Sequence, residues 1–173
     1  DYSTDTGIVR GLVFCSRKEE AKHLSNEFNK LGEFKTIYLF GDNSEQEREN
    51  AINRLENEYK KLDYIFTVDI FNEGINIPSL NQIVMVRPTQ SAIIFVQQLG
   101  RGLRKSEKKD YLTVIDFIGN YKNNFQIPIA LYGDKSFDKD NIRKFLKSGS
   151  DSLPGSSTVN FDKVALESIY TSL

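Results

Sequence analysis

Short apolar runs alternating with amphipathic stretches limit what this chain can fold into. Gly11-Leu12-Val13-Phe14-Cys15 is followed by Lys35 to Phe40, Asp63 to Val68, Gln82 to Val86 and Tyr111 to Phe117. Near-continuous apolar character in so short a run suits a strand covered on both faces. Between the first two runs, Arg17 to about Leu31 sets Ala21, Leu24, Phe28 and Leu31 along one side at helical spacing, with Ser16 as its cap and Gly32 as its stop. Ser44-Glu45-Gln46-Glu47 has the form of a capping box and opens a helix to about Tyr59, with Ala51, Ile52 and Leu55 turned inward. Ser91 to Val96 suggests a further helix, on which Ala92, Phe95, Val96, Leu99 and Leu103 share one side. Strands alternating with helices imply right-handed crossovers and a parallel sheet with helices on both faces. Ligands of such sheets gather at the carboxyl ends of the strands, here the loops after Cys15, Val68, Val86 and Phe117.

Composition narrows the function classes. A chain of 173 residues, 39% of them hydrophobic, can bury the core of one domain. With 23 basic against 24 acidic side chains, any nucleic-acid surface must be local rather than global. The lone Cys15 and lone His23 rule out a disulfide framework, and no metal site built from protein side chains is expected. Cys15 reads as a small buried hydrophobe and His23 as a solvated or packed helix residue. No apolar run approaches the roughly 20 residues of a membrane span, and no signal peptide is visible, so a cytoplasmic protein without membrane contact is expected. The chain starts at Asp1 without a Met and is expected to be a piece of a longer polypeptide.

Two stretches carry candidate chemistry. Gln97, Gly100, Arg101 and Arg104 fall at i, i+3, i+4 and i+7, away from the apolar side of their helix. Two guanidiniums one turn apart, the first preceded by a glycine, leave room for an anion, and their rigid forks match phosphate oxygens in pairs. Each glycine costs roughly 1 kcal/mol against alanine inside a helix, so its presence asks for a reason. Basic residues and a glycine also finish ordinary helices, so spacing alone leaves both readings open. The second stretch, Thr67 to Pro78, follows the third apolar run. Gly74 between Glu73 and Asn76 would let backbone approach a ligand, and a plain loop turned by Gly74 and stopped by Pro78 is the alternative.

Gln97-x-x-Gly100-Arg101-x-x-Arg104 resembles motif VI of the superfamily-two helicases. Glu73-Gly74-x-Asn76-x-Pro78 resembles their motif V, and Val13-Phe14-Cys15-Ser16 their motif IV. With Arg87-Pro88-Thr89-Gln90-Ser91, the likeness runs in order from about Gly7 to Phe117. The chain is thereby identified as similar to the C-terminal RecA-like lobe of a DEAD/DEAH or type III restriction-like member, and the run from Glu73 to Asp116 resembles bacterial DNA-repair-type members. The resemblance implies that Arg104 is an arginine finger on the γ-phosphate of ATP with Arg101 as its companion. It implies that Gln97, Gly100, Glu73, Gly74 and Asn76 face the nucleotide, Asn76 standing where the family usually has Asp. It also implies strand contacts by Ser16, Arg17, Thr67 and Arg48, although Thr67 is one residue out of register with the family's threonine. A solvated helix face is the other reading of Arg17 and Arg48.

No G-x-x-x-x-G-K-[ST] occurs in the sequence, nor an Asp-Glu pair after a strand suited to Mg²⁺. Hydrolysis needs phosphate cradle, metal and finger together. The expectation is therefore an ATP-dependent helicase lobe, inactive by itself, that shares ATP and Mg²⁺ with an N-terminal RecA-like lobe and runs on nucleic acid, DNA being favoured over RNA. A nucleotide- or protein-binding α/β module without turnover is the alternative. Residues 1–7 read as a linker and 8–133 as the RecA-like domain. Residues 134–173 read as a short helical extension: charged and helical over Lys135 to Lys147, linker-like over Ser148 to Ser157, then a helix capped by Asp162 through Tyr170.

Overall fold

The computed structural model describes residues 7–57, 59, 62–68, 70, 77–87, 107, 109–117, 129, 132, 138–148, 158 and 160–172. The helix expected from Ser91 lies outside them. Five four-residue strands, β1 (Gly11–Phe14), β2 (Thr36–Leu39), β3 (Tyr64–Thr67), β4 (Gln82–Met85) and β5 (Thr113–Asp116), make one sheet in the order β2-β3-β1-β4-β5. Every neighbouring pair is parallel. The parallel α/β sheet expected from the apolar runs is thus present, with β1 buried at its centre. The strands are shorter than the runs that announced them. Tyr111, Leu112 and Phe117 stay outside the ladder, and β5 pairs only with the four residues of β4.

α1 (Lys18–Leu31) crosses from β1 to β2. Ala21 joins Val13, Cys15, Tyr64 and Phe66 in a buried cluster, against which Leu24, Phe28, Phe34, Tyr38 and Phe40 pack. Phe28 meets Tyr64 and Phe66 edge-on at 6.0 and 5.3 Å between centroids, and Phe34 meets Tyr64 at 5.5 Å. Such edge-to-face pairs add about 0.5–1.5 kcal/mol beyond the area they bury, which fixes α1 over β3. Two expectations for this helix are corrected. Leu31 is 69% exposed, and the inward position belongs to buried Ser25, whose hydroxyl meets that of Thr36 at 2.7 Å. Ser16 is not the cap. Arg17 holds that position without a side-chain bond, while the Ser16 N–H donates to the Glu20 carboxylate at 2.7 Å. Gly32 ends the helix as expected, with φ +75°, a conformation that costs a residue with Cβ.

α2 (Glu45–Glu56) begins with the expected capping box and buries Ala51 and Leu55. It stops at Glu56 rather than Tyr59, because the Asn57 side chain accepts the Tyr59 N–H at 2.9 Å and turns the chain out of the helix.

The chain divides into two compact units, Asp1–Arg87 with Gln97–Asp116 and Pro88–Val96 with Phe117–Leu173. The sheet belongs to the first. In the second, α3 (Lys139–Ser148) buries Ile142 and Leu146, and Phe145 stacks on Tyr132 at 5.2 Å. α4 (Lys163–Ser172) is capped by Asp162, whose side chain accepts the Ala165 N–H at 2.7 Å.

Candidate functional site

The carboxyl ends of β1, β2 and β3 bring the described candidate residues to one edge of the sheet. After β1, Ser16 and Arg17 are exposed at the start of α1. After β2, Phe40 to Asn43 form a tight turn: the Asn43 N–H reaches the Phe40 carbonyl at 3.1 Å, and the Asn43 side chain accepts the Phe40 N–H at 2.8 Å. Arg48, half-buried on α2, donates Nη2 to the Gly41 carbonyl at 2.7 Å. A freely solvated helix face does not describe Arg48, because its guanidinium holds this turn from behind. The turns after β1 and β2 are tied by Lys18 Nζ, 2.5 Å from the Asp42 carboxylate. That hydrogen bond, with the charge of Lys18, holds Asp42 below the usual carboxylate range. Glu47 is likewise held low, first by the Ser44 backbone N–H and then by the Ser44 hydroxyl.

Thr67 is corrected. It is wholly buried, and its hydroxyl has no hydrogen-bond partner among the described residues. Tyr64 and Phe66 take the α1 face of the sheet, so strand alternation turns Thr67 to the other face. Cys15 is also wholly buried, and burial first, with Glu20 second, pushes its thiol up to about 12. It is therefore inert as a nucleophile at neutral pH.

Sequence reading gave no role to two cations on this edge. Lys18 sits in the first turn of α1, where a cation opposes the helix dipole, and that mismatch was the available signal. Arg87, after β4, lays its guanidinium 5.9 Å from the centroid of the Phe14 ring, and its N–H reaches the Phe14 carbonyl at 3.0 Å. The candidate nucleotide residues Glu73, Gly74, Asn76, Gln97, Gly100, Arg101 and Arg104 lie outside the described residues. Among the described residues no cluster of His, Cys, Asp and Glu could hold a metal, and no helix is long and apolar enough to cross a membrane.

Residues 6–106 match the family described as "Helicase conserved C-terminal domain". The chain is similar to a putative ATP-dependent helicase, IRC3 of Saccharomyces cerevisiae, with 34% identity over 62% of this chain and 15% of that protein. It is 28% identical to the ATP-dependent RNA helicase SrmB of Haemophilus influenzae over 64% of this chain and 24% of that protein. Among solved structures, the yeast DEAD-box splicing factor Prp28 superposes with a TM-score of 0.64 at 18% identity, covering 98% of this chain and 32% of that one. The chain thus spans no more than a quarter of the length of these two curated relatives. The parallel sheet is the RecA-like fold of DEAD-box C-terminal domains, and the chain belongs to the helicase conserved C-terminal domain family.

Proposed function

We propose that this chain is the second motor lobe of an ATP-dependent helicase or translocase. The observation that carries the reading is the family match over residues 6–106, a span that contains every candidate site residue. In this proposal ATP and Mg²⁺ are held by an N-terminal lobe of the same polypeptide, whose phosphate cradle and metal-binding acids the present sequence does not contain. Arg104 supplies the cation that balances charge on the γ-phosphate, and Arg101 is its companion. Gln97, Gly100, Glu73, Gly74 and Asn76 line the nucleotide side. Asn76 can hydrogen-bond a ribose hydroxyl but brings no charge for an arginine to pair with.

On the nucleic-acid side, exposed Ser16 and Arg17 offer a hydroxyl and a cation to backbone phosphate, and Arg48 acts by holding the Gly41 turn in place. Closure of the two lobes on ATP and their opening after hydrolysis would step the pair along a strand. Residues 8–133 form the lobe in this reading, and 134–173 lead into whatever follows it. DNA is proposed as the track, from the likeness of Glu73 to Asp116 to DNA-repair-type members. The named RNA helicase among the relatives makes RNA the rival.

Arg104→Ala in the full-length polypeptide tests the proposal. An arginine finger is worth roughly 10³–10⁵ in rate, so turnover should fall by about that factor with melting temperature unchanged. Lost folding with turnover per folded molecule intact would instead show an arginine that pairs with a carboxylate. ATPase stimulation by single-stranded DNA, duplex DNA and RNA, compared side by side, selects the track.

A further inference from the structure

Among the described residues β2 is an edge strand of the sheet, and it carries a groove of about 430 Å³ between α1 and α2, a volume within the range of small-ligand pockets. It shares Asn43 and Glu47 with the turn after β2 but is lined by none of Ser16, Arg17, Arg48 and Thr67. Three features define what it could hold.

The first is hydrogen-bond parity. The Asp63 and Tyr64 N–H groups both reach the Lys35 carbonyl, so Lys35, Ile37 and Leu39 turn their backbone polar groups toward β3. Thr36, Tyr38 and Phe40 therefore turn theirs outward. The second is how that outward row is filled. The Asn29 carboxamide sits on Thr36 like a neighbouring peptide, donating Nδ2 to its carbonyl at 3.0 Å and accepting its N–H at 2.8 Å. The Asn43 side chain accepts the Phe40 N–H. Between these two plugs, the outward N–H and C=O of Tyr38 meet no hydrogen-bonding group among the described residues, and Tyr38 lines the groove. The third is charge. Glu47 lines the groove, but its carboxylate is taken by the Ser44 N–H and hydroxyl. Arg54 lines it too, is exposed, and has no ion-pair partner among the described residues.

We propose that this groove binds an extended peptide segment of a partner protein bearing an acidic side chain. One peptide unit pairs with the Tyr38 N–H and C=O, continuing the row that Asn29 and Asn43 already occupy, and the carboxylate meets Arg54. The Asn29 contact shows the recognition chemistry within the molecule itself: a planar amide presenting donor and acceptor together to an outward-facing strand residue. The two plugs limit the bridge to a single residue, which keeps the edge from recruiting strands at random.

The test measures fluorescence anisotropy of a labelled, end-capped peptide with a central Glu, on the full polypeptide carrying this lobe. Saturable binding is expected. Replacing that Glu by Gln, or Arg54→Gln, should weaken it roughly two- to fivefold, the worth of an exposed ion pair. Both changes together should cost no more than either alone. N-methylation of the central amide should weaken binding about fivefold through the lost donor to Tyr38, and Asn50→Trp, which fills the groove from α2, should abolish it. Indifference to N-methylation, equal affinity for the Gln peptide, absence of binding, or displacement by a single-stranded oligonucleotide would each overturn the proposal. The last outcome would assign the groove to the nucleic-acid track.

Discussion

The two ends of the sheet are built on opposite principles. At the amino end, several polar groups are buried or half-buried and bonded to partners distant in sequence. Asn81 accepts the Arg10 N–H at 2.8 Å and donates to the Ile8 carbonyl at 2.7 Å, while the Asp63 carboxylate accepts the Lys35 N–H at 2.8 Å. Arg10 itself is only 2% exposed. At the carboxyl end the polar side chains are mostly exposed, and most of their bonds are local, as between Ser16 and Glu20 or Ser44 and Glu47, the Lys18–Asp42 pair being the longer-range exception. A buried polar group left unmatched costs ~1–3 kcal/mol, so the amino end has little freedom to rearrange. Exposed groups can exchange a protein partner for a ligand at small cost. The sheet thus has a fixed base and an adaptable rim, which suits the motor lobe proposed above.

The largest expected break in that contrast is at Gly11. It lies between Tyr64 on β3 and Gln82 on β4 in the same register, and the Tyr64 ring passes over it to donate its hydroxyl to Gln82 Oε1. A Cβ at Gly11 would stand 2.2 Å from the ring, so the ring must leave and its hydrogen bond with it. Gly11→Ala should destabilise the chain by about 3 kcal/mol, the upper part of the range for core overpacking, with the added loss of a buried bond. Denaturant titration would read this as a lower midpoint. Tyr64→Phe in the Gly11→Ala background should then cost almost nothing further, and full additivity would mean that the strap across β1 is not the cause.

Asn81→Ala comes next, at about 2 kcal/mol, because it removes one buried bond to the Arg10 N–H and one part-buried bond to the Ile8 carbonyl at once. Its effect should be confined to stability. Turnover per folded molecule in the full-length protein should stay within about twofold of the parent, whereas Arg104→Ala should do the reverse. An Asn81 variant that folds normally yet loses activity would remove the distinction between base and rim.

The rim was far more legible in the sequence than the base. Ser44-x-x-Glu47 announced its own hydrogen bonds because a capping box is local, and Gly32 announced a helix end for the same reason. The burial of Arg10 and the pairing of Asn81 with Ile8 depend on residues some seventy positions apart, 71 and 73 in the two Asn81 contacts. No periodicity carries that information. Helical spacing likewise put Leu31 inward, but α1 ends at Gly32, with Leu31 in its last turn, 69% exposed, and Ser25 takes the covered site instead. Gly11 read as the start of an apolar strand, and nothing nearby in sequence told of a tyrosine ring arriving from β3. The order of the strands decided that.

The smallest expected effect sharpens the same comparison at the rim, through acid. Glu47 titrates below its ordinary value of 4.5 because the folded chain hydrogen-bonds its charged form, through the Ser44 N–H before the Ser44 hydroxyl. A carboxylate lowered on folding contributes stability that is complete above its unfolded pKa and is lost as pH falls through the folded one. The loss should therefore begin below about pH 4.5 and continue downward, joined by Asp42, whose ordinary value is 3.8 and which is held low by Lys18. Ser44→Ala removes the hydroxyl and the cap at the start of α2, at a cost of about 1 kcal/mol at neutral pH. It also releases part of the hold on Glu47, so the gap between variant and parent should narrow as the solution is acidified through this window. Lys18→Gln should let Asp42 rise toward its ordinary value, readable as a shifted titration midpoint of the Asp42 side chain by NMR. Because both partners are exposed, thermal stability at neutral pH should hardly move. If instead Lys18→Gln lowered the melting temperature as much as Asn81→Ala, the rim would be bearing load that belongs to the base, and the division between them would have to be redrawn.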